Sequence, residues 1–283
     1  MLPDTHMHTP LCKHASGAPA EYREVARSLN MAELCFTDHA PNPDGVGALY
    51  GMDMSQFDDY RGMIRELQDG RQPTVFFGIE ADYYPACRRH LSGWLSANSF
   101  DLVLCSVHYL GNWGFDNPDE MDGWKSADVK GVWLRYFELL GEAAESRLFD
   151  VVGHIDLPKK FGHRLRDGIL KEMAQPVLDK IAAAGMTVEL NTGGLRKPAA
   201  EIYPSALLLS LARERGIPIC FGSDAHEPQQ VGQDFDKALR LAREAGYTDY
   251  MRFRRRAKMI TPLPTAEHAA TPVQREPDVF RRS

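Results

Sequence analysis

Long apolar runs are missing: no stretch of the 283 residues approaches the ~20 consecutive apolar residues that cross a bilayer, so a helical membrane protein is excluded. Basic residues are outnumbered, 33 against 39 acidic ones. The resulting net charge of −6 argues against a nucleic-acid surface, which needs clustered Lys and Arg. The one basic run, Arg252-Phe253-Arg254-Arg255-Arg256, is remote from every motif below and reads as a surface patch. Cysteine is scarce, and Cys12, Cys35, Cys87, Cys105 and Cys220 are odd in number and scattered, which excludes a disulfide framework or a CxxC knuckle. Four of these read as small packed hydrophobes, whereas Cys12 lies inside a histidine cluster. Acidic and histidine residues from Asp4 onward leave no room for the apolar core of a secretory leader, so the expected address is cytoplasmic. No internal repeat is visible.

What is present is an ordinary globular composition, with 43% hydrophobic and 25% charged residues. The length exceeds that of a usual domain, but single α/β barrels reach it. Short runs rich in Val, Ile, Leu and Phe predict strands at Leu2–His6, Leu34–Thr37, Thr74–Glu80, Asp101–Val107, Asp150–Gly153, Thr187–Asn191 and Ile217–Gly222. Between them, helical periodicity covers Ala20–Asn30, Ser55–Gly70, Val129–Arg147, Ile169–Ala184, Ser205–Arg215 and Asp236–Ala245. Strand and helix alternating about seven times gives an α/β fold with a parallel sheet, closed into a barrel or left open. This domain is expected over residues 1–260. The remaining 261–283, rich in Pro, Ala, Glu and Arg, is expected to be a poorly ordered tail, which makes His268 a weak ligand candidate.

The histidines are in phase with the strands. Seven of the ten fall at or just after a predicted strand end. His6 and His8 close the first strand, and His14 follows in its loop. His39 follows the second strand, His108 the fourth, His154 the fifth and His226 the last. Glu80 ends the third strand, and Asp224 stands two residues before His226. In parallel α/β folds the carboxyl ends of the strands build the site, so these residues should meet on one rim.

Each motif alone has a plain structural explanation. His-x-His merely places two rings on one strand face, Gly153-His154 suits a hydrogen-bonded core histidine, and Glu80 suits a solvated strand end. Together they are imidazoles and carboxylates in one phase. That donor set suits zinc, manganese, iron or cobalt. His6, His8, His14, His39, Glu80, His108, His154, Asp224 and His226 are too many for one ion, so two or three ions with Glu80 as bridge are expected.

These motifs resemble the polymerase and histidinol phosphatase (PHP) superfamily, and within it the monofunctional histidinol-phosphate phosphatases. The matching text is Asp4-x-His6-x-His8, His14, Thr37-Asp38-His39-Ala40-Pro41, Ser106-Val107-His108, Gly153-His154-x-Asp156 and Gly222-Ser223-Asp224-Ala225-His226. Gly78-Ile79-Glu80-x-Asp82-Tyr83-x-Pro85 and Glu189-x-Asn191-Thr192-x-Gly194-Leu195-Arg196-Lys197-Pro198 point to the phosphatase branch. The resemblance implies a distorted, TIM-like (β/α)7 barrel with a metal site at the C-terminal strand ends. It also implies three divalent ions, zinc with manganese, iron or cobalt as alternatives. His6, His8, Glu80 and Asp224 would hold one, Glu80, His108 and His154 the second, and His14, His39 and His226 the third.

The implied reaction is hydrolysis of L-histidinol phosphate, a small phosphomonoester of histidine biosynthesis, by a metal-bridging hydroxide. Arg196 is expected to neutralise phosphoryl charge, a metal-bound water or His226 to protonate the leaving alkoxide, and Asp38 to orient a ligating ring. Lys159 and Lys160 face either phosphate or solvent. Asp44 and Asp53, in the loop Pro41–Asp53, either face the substrate amine or stay solvated. The competing readings are a PHP-type phosphoesterase on another phosphomonoester, a PHP-type nuclease on single-stranded DNA, which would want a basic groove, and a non-catalytic metal-binding scaffold. The sequence is silent on oligomeric state.

Overall fold

The structure is a computed structural model that describes residues 1–265, so His268 and most of the expected tail lie outside the described residues. In chain order the elements are α1 (Pro19–Ser28), β1 (Glu33–Phe36), α2 (Phe57–Leu67), β2 (Thr74–Asp82), α3 (Arg88–Ala97), β3 (Leu102–Ser106), β4 (Tyr109–Leu110), β5 (Trp113–Gly114), α4 (Val129–Ser146), β6 (Val151–Val152), α5 (Asp167–Ala184), β7 (Thr187–Asn191), α6 (Ala206–Glu214), β8 (Ile219–Gly222), α7 (Phe235–Glu244), β9 (Asp249–Arg254) and β10 (Ala257–Pro262). Among the described residues no helix is long and apolar enough to cross a membrane.

Helix positions follow local chemistry. α4 starts where the Asp128 carboxylate accepts the N–H groups of Lys130 and Gly131, each at 3.1 Å. It buries Val132, Trp133, Tyr136, Phe137, Leu140 and Ala144, one stripe at helical spacing. α5 stops at Gly185, whose φ of 68° lies in the left-handed region that favours glycine.

The six main strands lie parallel in the order β1-β2-β3-β6-β7-β8, each joined to the next by a crossover containing a helix. The two edges of this sheet meet through the N-terminal segment. Thr5 N–H donates to Phe221 O of β8 at 3.0 Å, and Cys35 N–H of β1 donates to Asp4 O at 2.8 Å. Thr37 N–H donates to Met7 O at 2.9 Å and His8 N–H to Ala225 O at 2.9 Å. Residues 4–8 thus close a distorted seven-membered barrel.

The expected first strand, Leu2–His6, is not a continuous ladder. It makes isolated parallel bridges, Asp4 with Leu34 and Met7 with Ala225. Pro3 has no N–H to offer. The Asp4 carboxylate also takes the N–H groups of His6, Ser223 and Gly232 at 3.3, 2.9 and 2.9 Å, diverting donors that a ladder would use.

Period-2 alternation splits the core. Val103, Cys105, Val152, Val188, Leu190 and Phe221 pack outward against the helices. Cys35, Leu102, Leu104, Val151 and Cys220 form a separate interior cluster with Met251 and Phe253. Those last two belong to the antiparallel hairpin β9–β10, which plugs the bottom of the barrel. The basic run is therefore not a free patch. Arg252 forks onto Glu33, Arg256 onto Asp150 at 2.9 Å, and Phe253 is buried between them. All five cysteines are unpaired and buried. The sequence reading did not anticipate α3, the hairpin β9–β10 or the irregular stretch from Tyr109 to Lys125, none of which carries a long periodic pattern.

Candidate metal centre and cavity

The strand ends at the opposite mouth open into a cavity of about 430 Å³. Glu80, at the end of β2 and 1% exposed, stands at its base. Its Oε2 lies 3.3 Å from His6 Nε2, 3.6 Å from His8 Nε2 and 3.0 Å from His39 Nδ1. Its Oε1 lies 3.1 Å from His154 Nε2 and 3.7 Å from His108 Nε2. Asp224 Oδ1 lies 3.2 Å from His8 Nε2, 3.7 Å from His6 Nε2 and 3.6 Å from His226 Nδ1. His226 Nε2 in turn lies 2.9 Å from His14 Nε2, and its ring stacks on His8 at 4.0 Å. The fold thus brings all nine sequence-derived donors together.

This donor set fits metal ions. His6 Nε2, His8 Nε2 and Glu80 Oε2 are buried without any hydrogen-bond partner, which is costly in a dry interior unless a cation satisfies them. Three donor groups, each with its atoms within 4.8 Å of one another, overlap there: His6–His8–Glu80, His39–Glu80–His108 and His8–His39–His226. Cys12 forms a further such group with His14 and His226. His154 and Asp224 both sit at positive φ, 25° and 55°, a backbone cost that clusters at functional sites.

Behind the donors is a layer of acceptors. Glu189 Oε1 meets His6 Nδ1 at 2.7 Å, and Asp82 Oδ1 meets His108 Nδ1 at 2.8 Å. Asp38 Oδ1 lies 3.5 Å from His8 Nδ1, and the Cys12 carbonyl lies 2.7 Å from His14 Nδ1. In His6, His108 and His14 the engaged Nδ1 leaves Nε2 to face the centre. Asp38 is itself fully buried and accepts from Thr9 N–H at 3.1 Å and His39 N–H at 2.8 Å.

Electrostatics divides the histidines. Burial opposes the charge on Glu80, but His6 and His39 overcome it and hold the carboxyl well below its usual range. Burial, reinforced by His39 and His8, pushes His14 down to about 4. Burial and His8 also push His226 well below the usual imidazole range. Burial opposes charge on His108 too, yet Asp82 and Asp116 raise it to about 10.

The expected substrate contacts lie elsewhere. Arg196 Nη2 donates to the carbonyls of Ser223 and Asp224 at 2.7 and 3.0 Å, and the residue does not line the cavity. Lys159 is 2% exposed and is held by Asp156 at 2.8 Å, Glu201 at 3.1 Å and Ile202 O at 2.8 Å. Asp44 accepts from Tyr84 OH at 2.8 Å, and Asp53 pairs with Lys13 at 3.4 Å on the surface.

The cations that line the cavity are Lys160 and Lys197. Lys160 bonds Asp116 at 2.9 Å, and burial together with Lys160 lowers the Lys197 amine. Tyr50 of the loop Pro41–Asp53, and Tyr109, Asp116, Asn117 and Asp119 of the stretch from Tyr109 to Lys125, also line the cavity. Sequence reasoning pointed to the loop Pro41–Asp53 but missed the lining from the stretch after His108. Its one available signal was a long aperiodic segment directly after a strand end, where binding loops concentrate.

Comparison with known proteins fits this geometry. Residues 4–193 match the PHP domain family, and residues 207–235 match a PHP-associated family. A probable histidinol-phosphatase of Deinococcus radiodurans is 43% identical over 248 residues, 87% of this chain and 94% of the relative. The histidinol-phosphatase of Bacillus subtilis is 26% identical over 83% of this chain and 97% of its own. The fold superposes on the crystal structure of the Lactococcus lactis histidinol phosphate phosphatase complexed with zinc, L-histidinol and phosphate. The TM-score is 0.78 and the identity 20%, over 91% of this chain and 98% of that one. The chain belongs to the PHP domain family and to its histidinol-phosphatase branch.

Proposed function

We propose that this protein is a phosphoric monoester hydrolase that converts L-histidinol phosphate to L-histidinol and inorganic phosphate. The observation that carries the reading is the gathering of nine metal-type donors around Glu80, at the base of a cavity lined by Lys160 and Lys197. The names of the relatives and the ligands of the Lactococcus structure supply the substrate and favour zinc.

Three ions are the proposed complement. His6, His8, Glu80 and Asp224 would hold one, Glu80, His108 and His154 another, and His14, His39 and His226 the third. When bound, such ions polarise the phosphoryl group and make water a nucleophile near neutral pH.

The chain's own residues do the rest. Lys160 and Lys197 draw in and anchor the phosphate dianion, and Asp116 fixes the Lys160 amine. Asp119 and Glu227, both in the cavity lining, attract the substrate ammonium. His226, with its depressed pKa, lacks at neutral pH the extra proton that a general acid donates, so it serves as a metal donor. Arg196 holds the Ser223–Asp224 carbonyls and so aims Asp224. A nuclease would want a basic groove, whereas this cavity lining sets only Lys160 and Lys197 against Asp82, Asp116, Asp119 and Glu227. A cytoplasmic address suits the five unpaired cysteines.

The test is phosphate release from histidinol phosphate, other phosphomonoesters and single-stranded DNA, using metal-reconstituted protein. Preferential turnover of histidinol phosphate is expected. Metal loading without hydrolysis of any phosphoester would leave the scaffold reading standing.

A further inference from the structure

Of the seven strand positions in the barrel, only β7 contributes none of the nine donors. Its inward residues are polar and wholly buried all the same: Glu189 and Asn191 are each 0% exposed. Buried charge is costly unless every lone pair is used, so these two residues need an explanation.

The contacts supply it. Glu189 Oε1 takes His6 Nδ1 at 2.7 Å. Glu189 Oε2 takes the backbone N–H of His154 at 3.1 Å and Asn191 Nδ2 at 3.1 Å. The same Asn191 amide faces Asp224 Oδ2 at 3.5 Å, while its Oδ1 accepts from Gly193 N–H at 2.8 Å. One carboxylate therefore fixes the ring of a donor from the first segment and the strained backbone, φ 25°, of a donor from β6. Through Asn191 it also reaches a donor from β8.

One neighbouring strand leaves room for that carboxylate. A Cβ on Gly222, at the end of β8, would stand 1.9 Å from Glu189 Oε1, so any side chain there would displace it.

We infer that Glu189, seconded by Asn191, is a positioning residue for the metal centre, coupling the affinity of the ion held by His6 to that of the ion held by His154. The inference rests on the metal-centre part of the function proposed above, not on the substrate. All of Glu189's partners are donors, so only an acceptor with two free oxygens satisfies them. A glutamine there would turn its amide N–H groups either on His6 or on the His154 and Asn191 donors. In both orientations one donor faces another.

The experiment is cobalt titration of chelator-stripped protein, read by visible ligand-field absorption, for wild type, Glu189→Gln, Asn191→Asp and Thr187→Val. Glu189→Gln should bind cobalt about 10- to 100-fold more weakly, the range for outer-layer partners of metal ligands, with a changed spectrum. Asn191→Asp keeps the Gly193 acceptor but loses the donor, and should shift affinity the same way by less. It decides the matter if Glu189→Gln does not fold. Thr187→Val, buried on the same strand away from the donors, should bind as wild type. Wild-type affinity and spectrum in Glu189→Gln, or an equal loss in Thr187→Val, would overturn the inference. Cobalt binding involves no phosphoester, so failure of the substrate assignment would show separately, as loaded wild-type enzyme that leaves histidinol phosphate intact.

Discussion

His14 and His226, 212 residues apart in the chain, bring their Nε2 atoms to within 2.9 Å of each other. Two imidazole nitrogens that close must share either a proton or a cation. Each Nδ1 already meets a carbonyl, of Cys12 and of Asp224, and desolvation of the ring nitrogens with repulsion from His39 and His8 keeps a second proton off, His14 being held at about 4 and His226 below its usual range. The pair is thereby kept in the metal-accepting form at neutral pH.

That depression has a thermodynamic signature in the metal-free protein. An imidazole whose folded pKa lies below its unfolded value contributes stability above the unfolded value, and that stability is lost as pH falls. For His14 the window runs from the ordinary 6.5 down to about 4. His108 has the opposite sign. Raised to about 10, it contributes fully below 6.5 and loses its contribution as pH climbs toward 10. Denaturant unfolding of stripped protein should therefore show maximal stability near neutrality. His14→Ala should flatten the acid limb and leave the alkaline limb in place. An unchanged acid limb in that variant would contradict the assignment.

Glu80→Gln removes the carboxylate that faces five histidines. Metal content by elemental analysis should fall, and phosphate release should drop by more than the ~10- to 100-fold typical of outer-layer partners. Full activity in this variant would refute the bridging role.

Lys160→Ala and Lys197→Ala should each reduce kcat/KM for histidinol phosphate by about 10- to 100-fold, the worth of one charge-assisted hydrogen bond of about 1.5–3 kcal/mol. Arg196→Ala, which touches two carbonyls and not the cavity, should instead act on metal affinity. The pattern of KM values across the three variants distinguishes phosphate anchors from a residue that holds Asp224.

Stripping the metal should abolish turnover and lower the unfolding midpoint. Zinc at 100 times its dissociation constant stabilises a site by about 2.7 kcal/mol, so the midpoint should climb with the logarithm of added zinc. A midpoint indifferent to zinc would count against a metal centre of any nuclearity.

Phe253→Ala opens a hole in the plug beneath the barrel, where the ring packs among Leu102, Leu104 and Val151. It should cost about 3–5 kcal/mol in denaturant unfolding while kcat per folded molecule stays at the wild-type value. A comparable loss of kcat would mean that the hairpin communicates with the opposite mouth.

The alternation of apolar runs with helical segments, and the phase of histidines against strand ends, were legible in the chain because both are short-range patterns. Side-chain periods of 2 and 3.6 write themselves into neighbouring residues, and a strand end is marked by the residue that follows it. That is why His6, His39, Glu80, His108, His154 and Asp224 could be named together before any coordinates. Direction beyond a strand end is another matter. Lys159 and Lys160 are adjacent, as are Arg196 and Lys197, yet in each pair only the second faces the cavity. The turn that decides this is set by partners distant in sequence: Glu201 for Lys159, and the Ser223–Asp224 carbonyls for Arg196. Glu189 was hidden for the same reason. On the strand it is one more polar residue; pairing of β6 with β7 brings the His154 N–H to one of its oxygens, and only closure of the barrel through residues 4–8 brings His6 to the other. Local pattern fixes what a residue can do; long-range packing fixes what it meets.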